Sequence, residues 1–199
     1  MTEELTRVAE NLRGRGFAVT LFETGAEAAA YLDREIDGKT VGFGGSVTLR
    51  EMGLYPMLCT HNEVFSHMET GDVTQCRGAA TAQIYLTSVN ALAETGELVN
   101  IDGIGNRIAA SVYGHEKVYF VVGRGKLAGT LDDAIRRARN VAAPLNARRK
   151  QCKTPCAANA DRCYDCKSPD RICRAMMVIW EPMMGMEAEV VLIDEDLGY

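Results

Sequence analysis

No stretch of this chain approaches the roughly 20 consecutive apolar residues that a membrane-crossing helix needs, so no membrane partner is expected. An excess of positive charge is also missing. Lys and Arg number 22 against 27 Asp and Glu, for a formal net charge of −5 and a pI near 5.3. That balance argues against a nucleic-acid-binding surface. The one basic run, Arg148-Arg149-Lys150, is short and reads as the solvated end of a helix. The first residues, MTEELTRVAENLRGRG, are charged and helical in pattern and lack the apolar centre of a secretory signal, so a cytoplasmic location is expected. The chain lacks internal repeats and low-complexity linkers, and its cysteines, seven in all, do not make an even number. In a reducing compartment that count excludes a disulfide framework. What is present suits a globular enzyme or binding protein: 199 residues, 47% hydrophobic and 25% charged. They are enough for one domain over 1–199 with a sizeable core, carrying a cysteine-rich segment at about 151–174.

Periodicity organises most of the chain. Leu5, Val8, Ala9 and Leu12 recur at helical spacing before Gly14 and Gly16. A strand over 17–22 follows, then Thr24 as N-cap of an alanine-rich helix reaching about Ile36. Residues 40–43 read as a buried strand. This strand–helix–strand order predicts an α/β fold with a parallel sheet and crossover helices. Further strands are expected at 83–88, 97–101 and, centrally, 117–122. A helix is expected at 130–142, with Pro144 closing it. Residues 176–180 and 189–193 read as two closing strands, and the methionines around them as core or interface filler.

Four segments carry candidate chemistry. In Val41-Gly42-Phe43-Gly44-Gly45-Ser46-Val47-Thr48 a strand runs into Gly44, Gly45, Ser46 and Thr48, where backbone N–H groups can meet an anion such as phosphate or carboxylate. Glu51 lies one turn on, as a base or ligand partner. A tight turn with Ser46 as a plain N-cap explains the same residues. The second segment, NALAETGELVNIDGIGNR, gathers Asn90, Asn100, Asp102, Gly103, Gly105, Asn106 and Arg107 with little apolar filler after Ile101. Polar recognition asks for that mixture more than core packing does. Asp102 is the acid–base candidate and Arg107 the carboxylate or phosphate clamp. Third, Lys126 follows a central strand at the place where open α/β sheets bind ligands, although a solvated loop lysine fits as well. Fourth, Cys156-x6-Cys163-x2-Cys166-x6-Cys173 can close a tetrahedral thiolate site for Zn or hold an iron–sulfur cluster. The spacing matches neither the usual zinc ribbon nor the ferredoxin run, so the metal stays open, with redox-active or unligated thiols as alternatives. Cys152 is a fifth ligand or a spare. Cys59 and Cys76 read as small core residues, and His61, His67 and His115 as surface or satisfied histidines.

At the second segment the chain resembles a known family. NALAETGELVNIDGIGNRIAA, then VYFVVGRGKL, AIRRARNVAAPLNARR and KTPC…CYDC…IC, are similar to the LUD-domain (lactate-utilisation) family, from about Gly42 to the final LGY. The cysteine block resembles only a subset of that family. The resemblance implies a three-layer Rossmann-like core, as in ribose-5-phosphate isomerase, glucosamine-6-phosphate deaminase and the CoA transferases. It also implies a role in oxidising lactate or a related 2-hydroxy acid beside iron–sulfur redox subunits, with a small anionic metabolite as ligand. Gly44 to Thr48 resemble the isomerase's phosphate loop, Asp102-Gly103 the start of its acidic motif, and Lys126 its strand-end lysine. Ile104, Gly105 and Asn106 replace an alanine and two acids of that motif. No flavin or NAD fingerprint follows the first strand. A stand-alone isomerase, deaminase or acyl-transfer enzyme acting on a sugar phosphate or acyl-CoA stays open, with Glu51 or Asp102 as base. So does a non-catalytic ligand-binding or regulatory module with a structural metal. The oligomeric state, a homo-oligomer included, stays open as well.

Overall fold

A computed structural model describes residues 2–199. Helix α1 (Glu3–Gly14) begins at Thr2, whose hydroxyl accepts from Leu5 N, and carries Glu3 and Glu4 where the helix dipole favours acids. Its buried stripe is Leu5, Val8, Ala9 and Leu12, the spacing read from the sequence. Strand β1 (Ala18–Phe22) leads to α2 (Gly25–Glu35), which Thr24 and Glu27 close with a reciprocal capping box. Strand β2 (Thr40–Phe43) opens into two short helices, α3 (Val47–Glu51) and α4 (Leu54–Leu58). Next come β3 (Glu63–Phe65), α5 (His67–Thr70), α6 (Gln75–Ala79) and β4 (Ile84–Thr87). A hairpin of β5 (Ala91–Ala93) and β6 (Leu98–Asp102) precedes α7 (Asn106–Val112) and β7 (Lys117–Gly123). The chain then runs through β8 (Leu127–Ala128), α8 (Leu131–Arg137), α9 (Ala143–Arg149), α10 (Pro155–Asn159), β9 (Ala175–Ile179) and β10 (Glu187–Ile193).

Six strands form one sheet in the order β1-β10-β7-β4-β2-β3, every pair parallel. Both faces are covered, as such a sheet requires. Val118, Phe120 and Val122 of β7 join α1 and the β5–β6 hairpin in one core cluster. Tyr119 and Val121 join α2, α3 and α4 in the opposite one. A second sheet, β8-β5-β6-β9, is mixed. Its other side packs Ala91, Ala93, Val99 and Ile101 on Ala134 and Ala138. The parallel core therefore agrees with the sequence, whereas the second sheet was not foreseen. Strand β9 closes that sheet and β10 the large one.

Pro144 does not end its helix, a correction to the sequence reading. Residues 138–142 widen into a π turn, in which Ala143 N donates five residues back to Ala138 O. Pro144 then falls in the first turn of α9, where its missing N–H is tolerated, and helical backbone continues to Arg149. That extension carries Asn146, Arg149 and Lys150 to the carboxyl edge of the sheet.

Candidate functional site

Because all six strands are parallel, the segments after β2, β4, β7 and β10 leave the sheet at one edge, the usual place for a ligand. Two polar clusters form there.

The first centres on Lys126, in a 3-10 turn after β7 and only 4% exposed. Its ammonium donates to Thr48 Oγ1 at 2.8 Å, Ser88 Oγ at 2.9 Å and Val89 O at 3.2 Å. Thr48, itself fully buried, donates to Leu197 O at 3.2 Å. Gly198 packs directly over Thr48 and Lys126 and donates its N–H to Glu51 at 2.6 Å. Burial, reinforced by Arg107 and Arg137, pushes the Lys126 pKa down to about 7. Of the two sequence readings, the solvated loop lysine is excluded: Lys126 is buried with three oxygen partners. Ser46 caps α3 through Leu49 N at 3.3 Å. Gly44 is held in the sheet, its N–H donating to Leu86 O at 2.8 Å, and a side chain there would strike Thr87 and Tyr85. Of the glycine loop, then, Gly44, Ser46 and Thr48 serve the fold, and Glu51 tethers the C-terminal residues.

The second cluster is a cleft of about 610 Å³. Four segments build its walls: Gly45 to Met68, the turn Ile101 to Arg107, the end of α9, and Pro169 to Arg174. Six basic side chains line it (Arg50, Arg107, Arg149, Lys150, Arg171 and Arg174) against two carboxylates, Asp102 and Asp170. Arg148, Arg149 and Lys150 are an exposed helix end, as read from the sequence, and Arg149 and Lys150 also line the cleft. Arg148, their neighbour, instead holds α10 through Ala157 O and Ala158 O.

Asp102 lies in the cleft wall with its carboxylate already engaged. Oδ1 accepts from Gly103 N at 2.7 Å and Ile104 N at 3.2 Å; Oδ2 accepts from Arg107 N at 3.0 Å and Ile108 N at 3.1 Å. Burial alone would raise its pKa, but Arg107 and the backbone N–H groups outweigh burial and hold it below the usual carboxylate value. A carboxylate so saturated organises the first turn of α7 and makes a poor base. Behind the wall runs a chain of amides. Asn90 Oδ1 accepts from Arg107 Nη2 at 2.9 Å and Ile101 N at 2.7 Å. Asn100, fully buried, accepts from Asn90 N and donates to Ser88 O, linking the cleft to the Lys126 cluster. Gly103 and Asn106 line the cleft; Gly105 is the left-handed residue, φ 92°, before α7. Glu94 and Thr95 of the same segment bond Arg7 and Arg15 of α1 and lie at the hairpin turn, outside the cleft lining.

Sequence reasoning missed His67. Its ring backs Gly45 and lines the cleft, and its Nδ1 is buried with no hydrogen-bond partner among the described residues. Burial first, then Lys150, lowers its pKa against an opposing pull from Asp102, so the imidazole is neutral at pH 7. The other two histidines are structural. His61 bridges Asp33 and Asp37. Buried His115 stacks on Tyr85 and bonds Ala82 O through Nδ1; its Nε2 is also buried with no partner among the described residues, but it lines no cleft there. Among cysteines, Cys156, Cys163, Cys166 and Cys173 line one recess, and Cys152 does not. Cys59 is exposed and Cys76 half-buried beside Asn106, so neither is the core residue expected. Met177, Met183 and Met186 pack on the core as expected, whereas Met184 is fully exposed.

The LUD domain family model matches residues 5–193. A crystal structure of a DUF162 family protein from Deinococcus radiodurans superposes with TM-score 0.56 at 14% identity, covering 96% of each chain. Ribose 5-phosphate isomerase A from Neisseria gonorrhoeae gives TM-score 0.36 at 14% identity over 54% of each chain. No curated protein matches. No helix among the described residues is long and apolar enough to cross a membrane.

Proposed function

The chain belongs to the LUD-domain family, and from that premise we propose that it binds a small organic anion, a 2-hydroxy carboxylate of the lactate type, as a cytoplasmic component of 2-hydroxy-acid oxidation. The observation that carries the reading is charge. Six cations and two carboxylates line one cleft of a chain whose net charge is −5. Arg50 also pairs with Glu69 and Arg171 with Asp165, but Arg149, Lys150 and Arg174 form no ion pair there among the described residues. Basic groups gathered along one cleft raise the local concentration of an anion, and guanidinium groups match carboxylate geometry.

The residues divide the work. Arg149, Lys150 and Arg174 supply charge, and Arg107, fixed by Asn90, holds its edge of the wall in place. His67 offers a neutral imidazole that accepts a hydrogen bond, or the proton, from the ligand hydroxyl. Oxidation of a 2-hydroxy acid to a 2-oxo acid releases two electrons and two protons. The O–H and Cα–H bonds break: the hydroxyl proton would go to His67 and on to solvent, and the Cα hydrogen would leave as a proton to solvent with both electrons passing to an iron–sulfur redox subunit beside this chain. Isomerisation with Asp102 as base is less favoured, since that carboxylate would first have to give up four N–H bonds.

Calorimetric titration with L-lactate and with inorganic phosphate tests the proposal. The double variant R149A/K150A should weaken both anions at least about tenfold, since a charged hydrogen bond contributes about 1.5–3 kcal/mol. Equal affinity in wild type and variant would sink the cleft as the anion site.

A further inference from the structure

The recess that Cys156, Cys163, Cys166 and Cys173 share holds about 10 Å³, room for one water. No three His, Cys, Asp or Glu side chains among the described residues stand close enough to hold an ion. That lining fits neither zinc nor an iron–sulfur cluster. Two of the four, Cys163 and Cys173, also line a second cavity of about 200 Å³, about a third of the cleft's volume. At ~30 Å³ for each water-sized group it admits roughly six non-hydrogen atoms. Three arginines line it, Arg139, Arg171 and Arg174, and no acid does among the described residues. Arg171 and Arg174 belong to the wall shared with the cleft. Arg139, which lies on the π turn, and both thiols are absent from the cleft lining.

Neutral groups aim these guanidinium groups. Arg171 donates Nη1 to Cys166 O at 2.8 Å and Nε to Cys173 O at 3.1 Å. Arg174 donates Nη2 to Pro169 O at 3.0 Å and Nε to Arg171 O at 3.3 Å. Arg139 Nη2 lies 3.7 Å from Cys163 Sγ. Carbonyl oxygens fix a guanidinium in place without cancelling its charge, so little ordering remains to be done when an anion binds. The acid beside the cavity is Asp165, whose Oδ1 lies 3.6 Å from Arg139 Nη2 and 3.8 Å from Arg171 Nη2. Both gaps exceed a hydrogen bond, and with a side chain 78% exposed such pairs contribute little. Asp165 is not in the lining; its carboxylate sits beside two cations as a ligand carboxylate would, without filling the space they line.

We infer that this cavity is a second carboxylate site, taking a short-chain monocarboxylate. The ligand's carboxylate meets Arg139 and Arg171, displacing Asp165, and its chain lies on Ile101, Ala143 and Met176, which supply apolar wall. Volume sets the size: roughly six non-hydrogen atoms leave room for a carboxylate with about three further carbons. Cys163, which shares Arg139 with that carboxylate, reports the occupancy. The inference is independent of what the larger cleft binds.

Iodoacetate is the probe, because it is itself a small carboxylate: the Cys163 sulfur bonds to its methylene carbon, iodide leaves and the thiol proton passes to solvent. In the full, reduced chain the rate of labelling by iodoacetate relative to neutral iodoacetamide should be higher at Cys163 than at exposed Cys59. The two ratios, read by peptide mass spectrometry, should differ at least about tenfold. Propionate should slow the labelling of Cys163 and leave that of Cys59 unchanged. Arg139→Ala should bring the Cys163 ratio down to that of Cys59, Arg139→Lys should keep part of it, and Asp165→Asn should raise it. The R149A/K150A variant should leave it within about twofold, since neither residue lines this cavity. Equal ratios at Cys163 and Cys59 in wild type, or a ratio indifferent to Arg139→Ala, overturn the site. Loss of the ratio in R149A/K150A overturns its separation from the cleft and makes the two cavities one site.

Discussion

Two polar clusters share one edge of the parallel sheet and are built on opposite terms. Around Lys126 the polar groups answer one another: three oxygens receive the ammonium, and Gly198 closes over the top. In the cleft Arg50 and Arg171 have acids beside them, Glu69 and Asp165, but Arg149, Lys150 and Arg174 form no ion pair among the described residues, and the His67 Nδ1 is buried with no partner among them. Both clusters are rich in the residue types that catalysis uses. A buried polar group that is fully satisfied adds rigidity and specifies a core. One left over on the wall of an open cleft is a binding offer, as the leftover Nε2 of His115, away from that cleft, is not. The comparison assigns structure to the first cluster and function to the second, although the strand-end lysine is the more familiar signature.

The largest expected effect tests the closed cluster. The unfolded chain holds the Lys126 proton up to about pH 10.4, whereas the folded chain releases it near 7. Between those values the unfolded state binds more protons, so stability rises with pH. Relative to Lys126→Met, wild type should gain on the order of several kcal/mol from pH 7 to pH 10, read from urea unfolding at each pH. A flat difference would mean that water reaches the ammonium, and the contrast between the clusters would fall. The loss of anion affinity in R149A/K150A ranks next and tests the open cluster.

Much of this arrangement was legible beforehand, for reasons that differ by region. The large sheet could be read because strands buried on both faces, such as KVYFVVG over 117–123, leave a continuous apolar signal. The second sheet could not. Its strands β6 and β9 were expected, at 97–101 and 176–180, but β5 and β8 are three and two residues long and leave too little pattern to show that the four pair. Asp102, Arg107, Gly103 and Asn106 were picked out by local density of polar groups, and all four line the cleft. Arg149, Lys150, Arg171, Arg174 and His67 were not, because tertiary packing brings them together from three distant segments. Only a π turn that carries the helix past Pro144 places two of them there. Asp102 illustrates the limit: its position was readable, but its four backbone donors appear only once the turn is folded.

The histidines sharpen the comparison with a smaller effect. Burial lowers the pKa of both His67 and His115, while Asp33 and Asp37 raise that of His61. In a proton NMR titration one ring should titrate above 6.5 and two below it. A bound anion supplies the countercharge that burial denies His67, so saturating phosphate should move that ring upward and leave His115 unmoved. Because the unfolded chain takes the His67 and His115 protons near 6.5 and the folded one only lower, these two rings make stability decline as pH falls below 6.5. His61 contributes with the opposite sign, so the decline is read as wild type against His67→Phe. Phosphate should blunt that decline. If phosphate leaves His67 where it was, the imidazole is a packed core group like His115.

Glu51 is the smallest and most discriminating case, because residue type and spacing made it a base candidate while its contact is with Gly198, at the margin of the Lys126 cluster and outside the cleft lining. Its Oε2 accepts from Gly198 N at 2.6 Å, a bond between an exposed helix end and the C-terminal residues. Glu51→Gln keeps an acceptor oxygen there and removes only the charge. Stability should fall by no more than about 1 kcal/mol, and phosphate affinity should stay within about twofold, since no cleft residue loses a partner. A tenfold loss would instead mean that the C-terminal residues and the cleft move together. In that event Gly198 closes the Lys126 cluster only conditionally, and the division between a satisfied cluster and an unsatisfied one would describe two states of one site.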